Sequence, residues 1–150
     1  MSWAAMVMPM NAPETWPEGL PVTQLRIARP TDKLEEVVRF YVEGVGLRHL
    51  GGFEGHAGYD GVFIGLPGYG VHLEFTRHEA GSPCPAPTRD NLLVLYVPDV
   101  AARDAIVARL SVLGYPPVAP ENPYWAQQGV TVEDPDGWRV VLQNTRGIGP

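Results

Sequence analysis

The sequence predicts an α+β fold built from two βαβββ modules in tandem, and two observations predict it. Strand, helix and strand signals run in the same order on either side of a turn-rich connector at residues 79–90 (EAGSPCPAPTRD). The two halves, 23–78 and 91–144, also align with an offset of roughly 67 residues, the mark of an internal repeat. A chain of 150 residues, 45% of them hydrophobic, can bury a core for such a fold without staples.

In the first module, Gln24-Leu25-Arg26-Ile27-Ala28 alternates polar and apolar as a half-buried strand does, and Arg29-Pro30-Thr31-Asp32 brings turn and N-cap chemistry. A helix follows: Leu34, Val37, Val38, Phe40 and Tyr41 recur near helical spacing, Glu35 and Glu36 suit its positive end, and Gly44 to Gly46 stop it. Three strand-like stretches at 47–54, 59–65 and 70–77 come next, separated by Gly55 to Gly58 and by Leu66-Pro67-Gly68.

The second module repeats the order. Leu92 to Val97 is strand-like, Asp99 caps a helix carrying Val100, Ile106, Val107 and Leu110, and Gly114 ends it. Strand signals near 115–119, at 127–133 and at 138–144 complete the module. Aligning Gly70 with Gly137 sets Val71-His72-Leu73-Glu74-Phe75 opposite Trp138-Arg139-Val140-Val141-Leu142. Alternation then turns Val71, Leu73 and Phe75 toward the helix and His72 and Glu74 to the other face.

A net charge of −6 and the lack of a basic stripe argue against a nucleic-acid surface. Residues 1–22 form a Pro-rich leader whose apolar start has no cationic region and is broken at Pro9 and Pro13, so no signal peptide or membrane span is expected. The single cysteine, Cys84, forms no internal disulfide and suits a reducing, cytoplasmic setting as an incidental loop thiol. Residues 145–150 form a tail.

Glu133-Asp134-Pro135-Asp136-Gly137-Trp138-Arg139 before an apolar strand, and Phe40-Tyr41 before Gly44-Val45-Gly46-Leu47, resemble the last hairpin and the first-helix ending of the glyoxalase, bleomycin-resistance and extradiol dioxygenase superfamily, the vicinal oxygen chelate proteins. The resemblance covers about residues 23–144. Arg26 to Thr31, Phe53 to His56, Gly58 to Gly61 and His72 to Phe75 are similar to an uncharacterised group of that superfamily. The resemblance implies curved mixed sheets around a small-molecule cavity, helices outside, and a homodimer.

Metal-using members place ligands on the first and last strands of each module. Carried over residue by residue, those positions fall on Arg26, Glu74, Leu92 (with Asn91 or Leu93 as alternatives) and Val141, and of these only Glu74 is a ligand type. A catalytic divalent site needs about three donors, and a guanidinium repels a dication. No metal or other cofactor is therefore expected, and an Arg26–Glu74 ion pair is the natural substitute. That pair suits either a structural role or ligand reading. A displaced site recruiting His56, His72 or His78 beside Glu74 is the remaining alternative.

His72 shares the strand face of Glu74 and can move a proton near neutral pH, or it is simply hydrogen-bonded inside the fold. His56 and Tyr59 in the first half, and Tyr124 and Trp125 in the second, are candidates for the cavity rim, where aromatic rings offer flat apolar area with a polar handle. Tyr96 and Arg139 are candidates for its inner wall. Asp60 reads as a turn or edge residue, and His49 and His78 as solvated strand ends.

Two functions compete. One is a metal-independent binder of a small organic molecule in the inter-module cavity, contacting Arg26, His56, Tyr59, Glu74, Tyr96, Tyr124, Trp125 and Arg139. The other is a cofactorless or displaced-metal lyase, isomerase or dioxygenase, with Glu74 or His72 as base and Arg26 stabilising an oxyanion.

Overall fold

The computed structural model describes residues 19–65 and 70–149. The expected leader lies outside it apart from residues 19–22, and so does the turn Leu66-Pro67-Gly68. Strand β1 (Leu25–Pro30) leads to α1 (Leu34–Arg39), which continues as a π-helical stretch, Phe40–Val45, before β2 (Arg48–His56), β3 (Tyr59–Gly65) and β4 (Val71–His78). Then come β5 (Leu92–Tyr96), α2 (Val100–Val112), a 3-10 turn (Pro123–Ala126), β6 (Gly129–Glu133) and β7 (Arg139–Gln143). The result is an α+β fold with two mixed sheets, ordered β1-β4-β3-β2 and β5-β7-β6. In each, the module's first strand runs parallel to its last and forms an outer edge. The sheets do not close on each other.

The helix ends follow the sequence with one change. Asp99 caps α2, its carboxylate accepting from the Ala101 and Ala102 amides. Asp32 does not cap α1: it accepts from the Ser82 amide instead, while the Thr31 hydroxyl accepts from the Lys33 amide at the helix entry. The π-helical stretch ends where Gly46 turns to φ +96° and donates to the Tyr41 carbonyl, a left-handed stop that glycine makes without strain.

The strand expected near 115–119 does not form. Pro116, Pro117 and Pro120 have no amide hydrogen to donate to a ladder, and the segment makes only a single bridge, the Val118 amide donating to the Thr131 carbonyl. The second sheet is thus a three-stranded version of the first.

Both modules feed one core. Phe40, Ile64, Leu110, Val132, Val140 and Leu142 are fully buried in a single cluster. Gly44 packs so closely on Leu110 that a β-carbon there would collide. Arg109 then clamps the helices together, Nε donating to the Gly44 carbonyl and Nη2 to that of Val45, at 3.1 and 3.2 Å.

Candidate functional site

Because Val62, Ile64, Leu73 and Phe75 pack into the helix-side core, alternation leaves Phe63, His72 and Glu74 on the opposite face of the four-stranded sheet. Register brings Arg26 beside His72 and Phe63 beside Glu74. There the Arg26 Nε donates to His72 Nε2 at 2.8 Å, Nη1 stands 3.6 Å from the Glu74 carboxylate, and the guanidinium lies 4.5 Å from the centre of the Phe63 ring. The aromatic floor continues from Phe63 to Phe53 at 5.9 Å and on to His56 at 6.2 Å.

The expected pairing of Arg26 with Glu74 is present, but Arg26 sits closer to His72. Arg26 is 45% exposed, so its attraction to Glu74 contributes no more than about 1 kcal/mol. Accepting from Arg26 commits the His72 Nε2 lone pair, so that nitrogen is not free to take a proton from a ligand while the bond holds. On β5 the register matches that of β1: Ala28 pairs with Glu74 and Val94 with Val141, so Arg26 and Leu92 occupy matching positions two residues earlier. Apart from Glu74, the four positions hold a guanidinium and two aliphatic side chains, a set that does not fit a divalent cation. Nor do His56 and His78 join Glu74, since no three His, Cys, Asp or Glu side chains converge to hold a metal among the described residues.

The remaining predicted residues are spread out. Tyr59 packs on His78 at 4.6 Å, near the far end of the same sheet. Tyr96, at the end of β5, lies under Gly147. Tyr124 and Trp125 meet edge to face in the 3-10 turn. Arg139 is buried, donating to Glu133 and to the Ala119 carbonyl of its own module. The chain at 119–126 folds back over this face of the second sheet, for Trp125's carbonyl stands 2.5 Å from where a β-carbon on Gly129 would be. Thr131, Arg139, Val141 and Gln143 are therefore covered by their own chain. Asp60 is a support residue, accepting from the Gly55 amide and from Arg77, and Arg77 also grips Glu35 at 2.7 Å. Together they line a groove of about 780 Å³ between α1 and the β2–β3 hairpin.

Sequence reasoning missed a polar joint between the modules. Arg29 reaches Asp134 at 2.6 Å and Asp136 at 2.8 Å, with its guanidinium 4.9 Å from the Phe75 ring and 5.3 Å from that of Trp138. Tyr41 donates to the same Asp134 oxygen. The other Asp134 oxygen accepts from the amides of Asp136 and Trp138, which shapes the turn that carries Gly137 at φ +83°. Burial raises the Asp134 carboxyl above its usual range against the pull of Arg29 and Tyr41. Burial, with Asp134 beside it, pushes Tyr41 well up as well. Arg29 is held up by Asp136 and Asp134 although burial opposes its charge. Both halves of this joint lie in the motifs that carry the resemblance, but nothing in either stretch says that they meet.

Comparison with known proteins agrees with this geometry. Residues 25–76 match the model of the YycE-like N-terminal domain and residues 90–144 that of the YycE-like C-terminal domain. The uncharacterized protein YycE of Bacillus subtilis (strain 168) is 54% identical over 125 residues, covering 83% of this chain and 90% of that protein. The crystal structure of a YycE protein of unknown function from Bacillus subtilis superposes with TM-score 0.83 at 52% identity, over 87% of this chain and 96% of that one. TnmS3, an antibiotic binding protein from Streptomyces sp. CB03234, gives 0.56 at 26% identity over 85% and 94%. A Leishmania major glyoxalase I gives 0.64 at 22% over 81% and 85%, a likeness of fold.

Proposed function

Because this chain belongs to the YycE-like family of the glyoxalase and bleomycin-resistance superfamily, we propose that it binds a small organic molecule, without a metal ion, on the Arg26 face of its first sheet. The observation that carries this reading is the Arg26 guanidinium held by His72 over Phe63 on a half-exposed face. A positioned guanidinium above a flat apolar floor suits a planar ligand with an anionic or oxygen-rich group. TnmS3 supports the reading as a relative of the same fold that binds an antibiotic. We propose further that two copies pair over this face, the second supplying the wall that Tyr96, Tyr124, Trp125 and Arg139 do not supply within one chain, and that the protein works in the cytoplasm, a setting that suits its single free cysteine. No described helix is long and apolar enough to cross a membrane.

The test is a thermal-shift screen of the purified protein with aromatic carboxylates, alongside metal analysis and light scattering. Binding that Arg26→Ala removes, in a metal-free sample, is the expected result. A stoichiometric transition metal held through Glu74, or equal binding by Arg26→Ala, would overturn the reading. The second reading, a cofactorless lyase or isomerase, is favoured by Glu74, whose side chain is only 15% exposed beside the Arg26 charge. It predicts that Glu74→Gln abolishes turnover of a substrate found in such a screen.

A further inference from the structure

At the seam between the modules lies a second cavity, of about 230 Å³, on the side of β1 and β4 away from the Arg26 face and sharing no lining residue with the Arg26, His72 and Glu74 cluster. We infer that this cavity is a separate binding site for a small planar aromatic compound carrying one carbonyl oxygen.

Its shape and walls point to a flat ring. One wall is the Tyr41–Phe75 stack, with ring centres 5.0 Å apart and planes 23° from parallel, and Trp138 stands across Arg29 from Phe75. Ile27, Leu73 and Leu93 add aliphatic surface. The volume accommodates about one or two fused rings and falls just below the usual range for drug-sized ligands.

These walls are fixed before any ligand arrives. Trp138 donates its indole hydrogen to the Cys84 carbonyl, Tyr41 is tied to Asp134, and Arg29 is tied to both Asp134 and Asp136. A pocket with locked rotamers loses little entropy on filling. It is also not satisfied by packing, since Ile27 at its edge is 53% exposed and β1 and β5 are both outer strands.

The ligand's polar group follows from the charges already used. Arg29 is neutralised by two aspartates, and Arg139 donates to Glu133, so neither calls for a carboxylate. Asn91 lines the cavity and is exposed, and its side-chain oxygen accepts from Thr88. That leaves the amide hydrogens to meet a neutral carbonyl oxygen.

Acetophenone and ethylbenzene, which differ by that oxygen, serve as probes of the full-length protein, read by methyl and aromatic NMR. Acetophenone should shift the Ile27 and Leu73 methyl signals and the Trp138 indole signal, and bind about tenfold more tightly than ethylbenzene. Asn91→Ala should erase that preference, and Ile27→Trp, a change at an exposed edge position, should block both probes. Shifts at Phe63 and His72 instead would place the probe on the other face of the sheet and overturn the inference while leaving the Arg26 reading intact. So would an absence of shifts up to the solubility limit, or a preference that survives Asn91→Ala.

Discussion

The Tyr41 hydroxyl donates to the Asp134 carboxylate at 2.7 Å, so the first helix of one module is hydrogen-bonded to the final hairpin of the other. Arg29 binds the same oxygen, which makes the contact a charge-supported joint rather than a lone hydrogen bond. Tyr41→Phe should lower unfolding free energy by about 1–2 kcal/mol. Asp134→Ala, which leaves Arg29 to Asp136 alone and removes the acceptor of the Tyr41 hydroxyl and of two turn amides, should cost more, about 2–4 kcal/mol. Urea denaturation of the two variants checks the order; equal losses would mean that the ion pair adds nothing.

Thr131 is buried and its hydroxyl has no hydrogen-bond partner among the described residues. Thr131→Val keeps the shape and removes the desolvated hydroxyl, so it should be neutral or stabilise by up to about 1 kcal/mol. A clear loss of melting temperature would show that the hydroxyl has a partner in solution.

Arg77 holds the carboxyls of Glu35 and Asp60 below their ordinary 4.5 and 3.8, through its hydrogen bond to Glu35 in the first case, and in the second alongside the Gly55 amide, the larger influence there. Groups lowered by folding add stability that is present above the unfolded value and lost as pH falls through the folded one. Wild type should therefore melt above Arg77→Gln at pH 6, with the gap closing on acidification below about pH 4. A gap that is constant with pH would mean that Arg77 acts by packing alone.

The Phe53 ring lies where a β-carbon on Gly61 would project. Gly61→Ala should push Phe53 off the Phe63 floor and cost about 1–2 kcal/mol. Ligand affinity on the Arg26 face should fall with it. Unchanged affinity in calorimetry would remove Phe53 from that site.

Period-two alternation was enough to read Arg26, His72 and Glu74 onto one face, because a strand's side-chain direction is a local property. The turns at Gly46, Gly114 and Gly137 were equally legible. The partners were not: Phe63 comes under Arg26 through the β3–β4 and β1–β4 registers, and Phe53 reaches Phe63 through the β2–β3 pairing, which is interrupted by irregularities between His49 and Gly51 and between Phe53 and His56. The strand expected at 115–119 is pre-empted by Pro116, Pro117 and Pro120, which leave too few amide hydrogens for a ladder. The seam at Arg29 and Asp134, residues 105 apart in the chain, depends on how the modules dock, which no local pattern encodes.

The fold-back at 119–126 makes the two repeats unequal in what they can accept. One sheet presents Arg26, Phe63 and His72 to solvent, while the matching face of the other is already occupied by its own backbone. Changes of recognition can therefore accumulate on the first repeat without disturbing the second. That makes the first sheet the natural half to redesign, and the second the half whose loop contacts, such as Ala119 on Arg139, a redesign should keep.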